Sequence, residues 1–503
     1  MMSIAYFVEM PVDFPEGVHF GAGKQFNVLA VARDGLGRPV LNGSSLAGVM
    51  RSVWRDYLKS DPDNSSQSIA EAVELLFGTR CERTEHDDPS ARPSAVRVTN
   101  TELMLGTQNP SQRTHHQRNR HRGTVIKGAL YSAESCPPGT RANIRFWIGG
   151  PTNSLVLPRV AEPLVKEFLT VVSAAFQHGI CVGGNSNRGI GRAELNPNSL
   201  RVRRFDLGQL NEHAAYLDAV RSWAGGGGVS GTQIFEPLDE ASPEQPLQIT
   251  LKLRVPRGQD ILIADGQGQE AQMEPKRVIG VDGKHYWRIP GSSLRGLFRR
   301  WFHRLSAREK IRNGLSNEMT SADPATGYPR RENEKCYTGD QLAWCFQSND
   351  ERAHFRPPTD WHVESLFGTC YSPGTIKISD GFSRCTSDEM KTCPECQIRM
   401  HVAVDRVTGG AAEGMLFDNY VLTSVDGDSG IFTFQIRLRS PQAHEVRWLA
   451  QTLIALNIGV LRVGSSKSSG RLCWHGQPEA TGTLSGEFLS IIQKSNHANA
   501  GAV

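Results

Sequence analysis

A chain of 503 residues is long enough for two to four domains at about 100–200 residues each. With 38% hydrophobic and 21% charged residues it can bury real cores, which excludes a disordered polymer. Fifty-six Lys and Arg against 52 Asp and Glu leave +4, too small an excess to define a partner by itself. No run of 18 apolar residues occurs, so no membrane span is expected. The opening residues Met1–Tyr6 lack a basic segment followed by an apolar one, so a cytoplasmic location is expected. Fifty Gly and 27 Pro point to a loop-rich α+β protein.

Taken in chain order, β-branched and aromatic residues predict a strand over Ile4–Val12 that ends in the Gly21-Ala22-Gly23 loop. Gly43-Ser44-Ser45-Leu46 predicts a helix start, with a serine as N-cap and the helix running to about Leu58. A strand is expected over Asn143–Gly149, then a helix over Pro163–Gln177 and a Gly-rich loop over 183–192. Leu207–Trp223 can form a helix, and the Gly225–Gly228 run with the acidic stretch Glu236–Gln245 reads as a linker. The same order then returns. A strand over Gln248–Val255 precedes Gly291-Ser292-Ser293-Leu294 and a helix to about Arg308. A strand over Gly430–Leu438, a helix over Ala443–Ala455 and a Gly-rich loop over 464–471 close the second pass.

The matched pieces lie 248 residues apart at the Gly-Ser-Ser helix, 290 at Leu-Phe-Gly-Thr (Leu76 and Leu366) and 286 at Asn119–Gly123 against Asp405–Gly409. Upstream, His19–Lys24 matches Ala264–Gln269 at 245. Constant order with drifting offset is the mark of a tandem duplication carrying insertions. The division expected is a first domain at 1–204, a linker with a helix at 205–246, a second domain at 247–480 and a flexible tail at 481–503. Strand–helix–strand order in each copy predicts a ferredoxin-like antiparallel sheet with helices on one face.

These motifs resemble the RAMP superfamily: Gly-Ser-Ser-Leu-x-Gly-x-x-Arg, Leu-Phe-Gly, Val404-Asp405-Arg406-Val407-Thr408-Gly409 and a terminal Gly-rich loop. In particular they resemble the backbone subunit of type III CRISPR effector complexes, here as a fused tandem similar to those of types III-D and III-E. The first copy departs from the family pattern at Asn119-Arg120-His121-Arg122-Gly123. The resemblance implies an RNA-recognition-like fold with thumb hairpins, and crRNA binding. It also implies metal-dependent cleavage of complementary target RNA beside other effector subunits. The alternatives are a non-catalytic crRNA scaffold and a guide-processing endoribonuclease.

Candidate sites follow residue by residue. Asp34 and Asp282 each stand nine residues before the Gly of their Gly-Ser-Ser motif, in the loop where the family carries its catalytic Asp. A carboxylate there could hold Mg²⁺ or another divalent cation, or orient a 2′-hydroxyl, although Asp-Gly is also a common turn pair. RNA contacts are expected in the Gly-rich loops from Asn187, Arg188, Arg192, Lys467, Ser468 and Arg471. Others are expected at the two helix starts from Ser44, Ser45, Arg51, Ser292, Ser293, Arg295 and Arg299. Lys24, Asn119, Arg120, Arg122 and Arg406 complete the set, the middle three in the basic stretch Arg113–Arg122. The Cys393-Pro394-Glu395-Cys396 knuckle suits a structural Zn²⁺, with Cys370 and Cys385 as further ligands and Cys336 and Cys345 as alternates. This Cys-rich insertion, and a further one at about 306–362, belong to the second copy alone.

Overall fold

Buried apolar residues along each repeat's first strand organise what packs around it, alternating along Leu247–Arg254 and running through both faces at Ala5–Val8. A computed structural model of the chain describes residues 4–25, 28–79, 93–118, 125–149, 160–224, 227–238, 245–264, 271, 273–312, 362–368, 374–405, 407–424, 430–464 and 468–500. Its contacts divide into two units. Unit 1 holds 1–111, 134–186 and 190–245; unit 2 holds 112–133, 187–189 and 246–503. The boundary therefore differs from a cut near 204. The hairpin base and a three-residue piece of the first Gly-rich loop cluster with the second repeat's residues, because they pack there, as described below.

In unit 1 the elements are β1 (Ile4–Phe14), β2 (Gly21–Gln25), β3 (Val28–Val31), β4 (Val40–Leu41), α1 (Gly43–Leu58) and α2 (Ser66–Phe77). There follow β5 (Val96–Val98) and β6 (Thr101–Met104), and, after the β7 (Ser111–Arg118) and β8 (Val125–Ser135) hairpin, β9 (Thr140–Gly149) and α3 (Glu162–Gln177). The unit ends with β10 (Ile180–Cys181), β11 (Arg192–Leu195), β12 (Arg201–Asp206), α4 (Leu210–Ala224) and β13 (Gln233–Ile234). β1 pairs antiparallel with β9 from Ala5 opposite Gly149 to Phe14 opposite Thr140. One face of β1 carries Tyr6, Val8, Met10, Val12 and Phe14 into a core with α1 and α3, whose Phe168 and Phe176 are fully buried. Each such side chain contributes roughly 1.5–3 kcal/mol relative to exposure.

The other face of β1 is covered too. Ala5 and Phe7 join Trp147 and Phe205 under α4, and Tyr216 meets Trp147 edge-on at 5.2 Å. The stretch read as a linker thus contains a helix that seals the back of the sheet, since β1 is apolar on both faces.

Unit 2 repeats the plan with β14 (Leu247–Arg254), β15 (Asp260–Ile261), β16 (Arg277–Ile279), β17 (His285–Ile289), α5 (Gly291–Arg312) and α6 (His362–Phe367). It continues with β18 (Ile376–Ile378), β19 (Gly381–Arg384), β20 (Cys396–Val404), β21 (Ala411–Thr423), β22 (Ile431–Leu438) and α7 (Ala443–Asn457). β23 (Cys473–Trp474), β24 (Glu479–Thr481) and α8 (Ser485–Ala500) finish it. β14 pairs with β22 from Leu247 opposite Leu438 to Arg254 opposite Ile431, as β1 does with β9. β5 and β18 take the same place beside β9 and β22. The result is mixed α+β, with antiparallel sheets in both units. The tail expected to be flexible is instead helical: α8 buries Phe488 and Ile492 in the unit's core. Its apolar residues, spaced four apart and diluted by Ser, Asn and Lys, hide that face in a count of composition.

Candidate nucleic-acid interface and its supports

Neither helix start is capped by its serine. In α1 the N-cap position is Asn42, with no side-chain cap bond. Gly43 N–H instead donates to Asn100 Oδ1 at 2.9 Å, and Gly291 N–H donates to Asp380 Oδ1 at 2.8 Å. The cap comes from a residue just after β5 or β18, which satisfies one orphan amide of each helix. Glycine is required there: a Cβ on Gly43 would lie 2.2 Å from the Val98 carbonyl oxygen, and one on Gly291 2.3 Å from that of Ile378. This leaves Ser44 and Ser45 exposed in the first turn, while Ser292 and Ser293 are half-buried.

Sequence reasoning missed Asn100, Asp380 and Arg113. Asp380 is fully buried, and its second oxygen takes the Arg113 guanidinium at 2.6 Å, both inside unit 2. Asp380 N–H also donates to the Gly189 carbonyl at 2.8 Å, and Lys377 Nζ donates to Asn187 Oδ1. The available signal was a residue-by-residue match, Val96-Arg97-Val98-Thr99-Asn100 against Ile376-Lys377-Ile378-Ser379-Asp380.

Asp34 and Asp282 lie in equivalent hairpin turns but at different places in them. Asp34 opens its turn: its N–H donates to Arg38 O, and Gly37 N–H donates back to Asp34 O. In the second turn Gly280 takes that place, with the bonds Gly280 to Lys284 and Gly283 to Gly280. Asp282 is thus the third residue of its turn. Asp34 Oδ1 accepts from Leu36 and Arg38 N–H, while Oδ2 is held by the Arg38 guanidinium at 2.7 Å. Those bonds, the Arg38 amide first, hold its carboxyl below the ordinary value. Asp282 accepts from Lys284 N–H and, at 2.7 Å, from the Tyr286 hydroxyl. Burial opposes ionisation of Asp282, but these bonds win and its carboxyl also sits low. Both carboxylates are charged at neutral pH.

The Gly-rich loops share one geometry. Val182 N–H donates to Gly191 O, and Val463 N–H to Gly470 O. Gly183 (φ 77°) and Gly464 (φ 99°) occupy the left-handed region, and a Cβ on either would strike the carbonyl of His19 or Leu262. Arg192 is tied by Glu16 at 2.7 Å and by Glu194, so it braces its loop. Arg471 is exposed beside Gly459, where a Cβ would meet its side chain. Arg188 lies over the Tyr131 ring at 4.8 Å. Asn187 and Lys24 are exposed, Arg51 and Arg299 half-buried, and Ser468 Oγ accepts from Leu262 N–H at 3.1 Å.

Arg295 is not a surface contact. Its guanidinium donates to the carbonyls of Ile376 and Phe367, and burial, with help from Arg299, lowers its pKa to about 10. The i, i+4 stripe expected on α5 therefore loses one member to internal bracing.

The hairpins match in register. His115 packs on Tyr131 at 5.2 Å, and His401 stacks on Phe417 at 5.3 Å, in equivalent places 286 residues apart. Burial, then the nearby Arg188 and Arg113, lowers the pKa of His115 to about 3, so it stays neutral. Asp405 closes the β20–β21 tip by accepting from Val407 and Thr408 N–H. Asn119, Arg120, Arg122, Arg406, Lys467, Cys336, Cys345 and Cys370 lie outside the described residues, as does most of the 306–362 insertion.

Cys385 and Cys393 are buried in unit 2's core, with Cys396 packed against it. Cys396 N–H donates to Cys393 O at 3.0 Å, the turn of the knuckle. Burial, with Cys393 and Glu395 nearby, pushes the Cys385 thiol up to about 12, and the hydrogen bond with Cys393 pushes Cys396 up. Cys393 is held low by its bond with Cys396. Among the described residues no group of three or more His, Cys, Asp or Glu is arranged to hold a metal.

The two repeats thus define a class: tandem α+β repeats, each with a capped Gly-Ser-Ser helix, a β-hairpin and a Gly-rich loop. The RAMP superfamily model matches residues 16–194 and 219–471, and the chain belongs to that superfamily. The family supports a CRISPR-associated, RNA-binding subunit. No curated protein matches the chain. No described helix is long and apolar enough to cross a membrane.

Proposed function

We propose that the chain is a fused double backbone subunit of a type III CRISPR effector complex. On this reading it grips crRNA through both units and cuts paired target RNA near Asp34 and Asp282. The observation that carries the RNA-gripping part is the recurrence, at one register, of a hairpin ring pair and a Gly-rich loop. Ring faces stack on splayed bases and basic loop residues meet phosphates. An RNA-recognition-like, ferredoxin-like sheet is the fold this reading carries with it. The test is binding of single-stranded guide RNA by the full chain. Phe417→Ala should weaken it by about tenfold or more, as loss of one stacking platform does. Unchanged affinity in Phe417→Ala and Arg471→Ala alike would overturn the proposed interface.

In the cutting step a divalent cation such as Mg²⁺ would supply charge stabilisation at the scissile phosphate. Asp34 and Asp282 are the residues proposed to hold it or to orient the target's 2′-hydroxyl. That hydroxyl attacks its own phosphate, leaving a 2′,3′-cyclic phosphate and a 5′-hydroxyl. A second reading, the non-catalytic scaffold, draws on the bonds that occupy both carboxylates within their own turns. Guide processing would instead show as cutting of repeat RNA with no target present.

We also propose a structural Zn²⁺ held by Cys393, Cys396, Cys385 and Cys370. What supports it is the Cys393–Cys396 turn, with Cys385 near enough to Cys393 to feel its charge, although the described thiols are not arranged as a metal site. Elemental analysis should give one zinc per chain, and Cys393→Ser should lose it with a drop in melting temperature. A zinc-free wild-type protein with unchanged stability would leave the thiols as ordinary core residues.

A further inference from the structure

The turns that carry Asp34 and Asp282 are built with reversed charges. An offset of 248 residues aligns Arg38 with Tyr286, each four residues after its Asp, and an offset of 280 aligns Asn100–Met104 with Asp380–Arg384. The strand pairing agrees, since Leu41 faces Thr101 as Ile289 faces Gly381. At Asp34 one cation stands between two carboxylates: Arg38 lies 2.7 Å from Asp34 Oδ2 and 2.7 Å from Glu102 Oε2. At Asp282 the matching residues differ in each place. Tyr286 replaces Arg38, Phe382 replaces Glu102 and Arg384 replaces Met104. Arg384 is exposed directly across the strand pair from Tyr286, and its charge reaches that hydroxyl. Lys284 Nζ lies 4.0 Å from Asp282 Oδ2.

Asp282 is thus one carboxylate beside two cations, and among the described residues no second carboxylate acts on Tyr286. That set does not fit a divalent cation. Mg²⁺ is held by oxygen ligands, carboxylates above all, and an ammonium and a guanidinium alongside repel it. Asp282 Oδ2 already accepts from the Tyr286 hydroxyl at 2.7 Å and Oδ1 from the Lys284 amide at 3.1 Å. A phosphodiester is itself an anion, and the same two cations attract it. Gly280 makes the arrangement possible: a Cβ there would lie 2.7 Å from Asp282 Oδ1 and 3.0 Å from the Tyr286 ring.

We propose that Asp282, Lys284 and Arg384 cut target RNA without a divalent cation, while the cut led by Asp34 depends on one. The inference rests on the cutting reading above and gives Asp282 the second of its two roles there, the handling of the 2′-hydroxyl. The 2′-hydroxyl proton passes to the Asp282 carboxylate and the 2′-oxygen bonds to phosphorus. The bond from phosphorus to the 5′-oxygen breaks, and that oxygen takes a proton from water. Lys284 and Arg384 bear on the phosphate oxygens, where negative charge accumulates in the transition state. At Asp34 the second carboxylate, Glu102, adds the negative charge that a divalent cation requires once Arg38 gives way.

The test maps target-RNA cuts made by the assembled complex in Mg²⁺, and again with cobalt(III) hexammine in its place. That cation keeps RNA folded but has no open position for a carboxylate. The cut led by Asp282 should stay within about threefold, and the cut led by Asp34 should fall at least about a hundredfold. Lys284→Ala and Arg384→Ala, at exposed positions, should each slow the Asp282 cut by about tenfold or more and spare the other. Fe²⁺ with peroxide gives a readout apart from RNA cutting: bound iron should nick the polypeptide near Asp34 and Glu102 and leave the stretch around Asp282 whole. If Mg²⁺ supports both cuts and cobalt(III) hexammine neither, or if iron nicks the chain beside Asp282, the proposal falls and the cutting reading stands. If no cut occurs even in Mg²⁺, both fall.

Discussion

Asp380→Ala lowers the stability of unit 2 by about 3–5 kcal/mol, the cost of stranding one partner of a buried ion pair. The side chain holds two things at once, the Arg113 guanidinium and the Gly291 amide at the head of α5, while the backbone N–H of Asp380 donates to Gly189. With Asp380 fully buried and Arg113 6% exposed, water cannot replace what is lost. Asp380→Asn is milder, because the amide oxygen still accepts from Gly291 as Asn100 does from Gly43. Arg113→Met added to Asp380→Asn recovers much of the loss, since no unpaired charge then remains. Denaturant unfolding of the four proteins measures this. An Asp380→Ala curve superimposable on wild type would mean that the pair is solvated and carries no weight.

If the proposed cutting function holds, Asp282→Ala should reduce one of two target-RNA cuts by at least about a hundredfold, the scale of losing a positioned acid–base or metal-binding group. Asp34→Ala should remove the other cut. The two are unequal in readiness. Both oxygens of Asp34 are taken, two amides on one and the Arg38 guanidinium on the other. On that proposal a cation or 2′-hydroxyl must displace Arg38 first, so the cut led by Asp34 should be the slower one and Arg38→Ala should speed it. Asp282 has the Tyr286 hydroxyl bond and a long 4.0 Å contact with Lys284 Nζ on its outer oxygen to give up. The measurement is cleavage mapping by the assembled complex with Mg²⁺, with guide binding checked in each variant. If Asp34→Ala/Asp282→Ala cuts as wild type does, the carboxylates are turn formers and the chain is a scaffold.

What the sequence discloses and what it hides follow from the range of the contacts. The duplication, both Gly-Ser-Ser helices and the long strands are written in local period and local motif, and Ile4–Phe14 or Ala443–Asn457 fall close to their expected spans. The helix caps are not local. Nothing near Gly291 announces that a residue 89 positions later will cap it. Equal nine-residue spacing also concealed that Asp34 and Asp282 hold different places in their turns, because a longer second hairpin absorbed the shift. Arg295 read as a surface charge from its helical spacing, yet the carbonyl of Ile376, 81 positions away, draws it inward.

The hairpin that contributes Arg113 is flanked on both sides by residues of unit 1, although it packs within unit 2. The two halves of that ion pair are 267 positions apart in the chain. Were the repeats separate proteins, this contact would dissociate on dilution. Covalent fusion makes it intramolecular, with an effective concentration on the order of millimolar. It also fixes the ratio of the two repeats at one to one, and makes their joining independent of how much protein the cell produces.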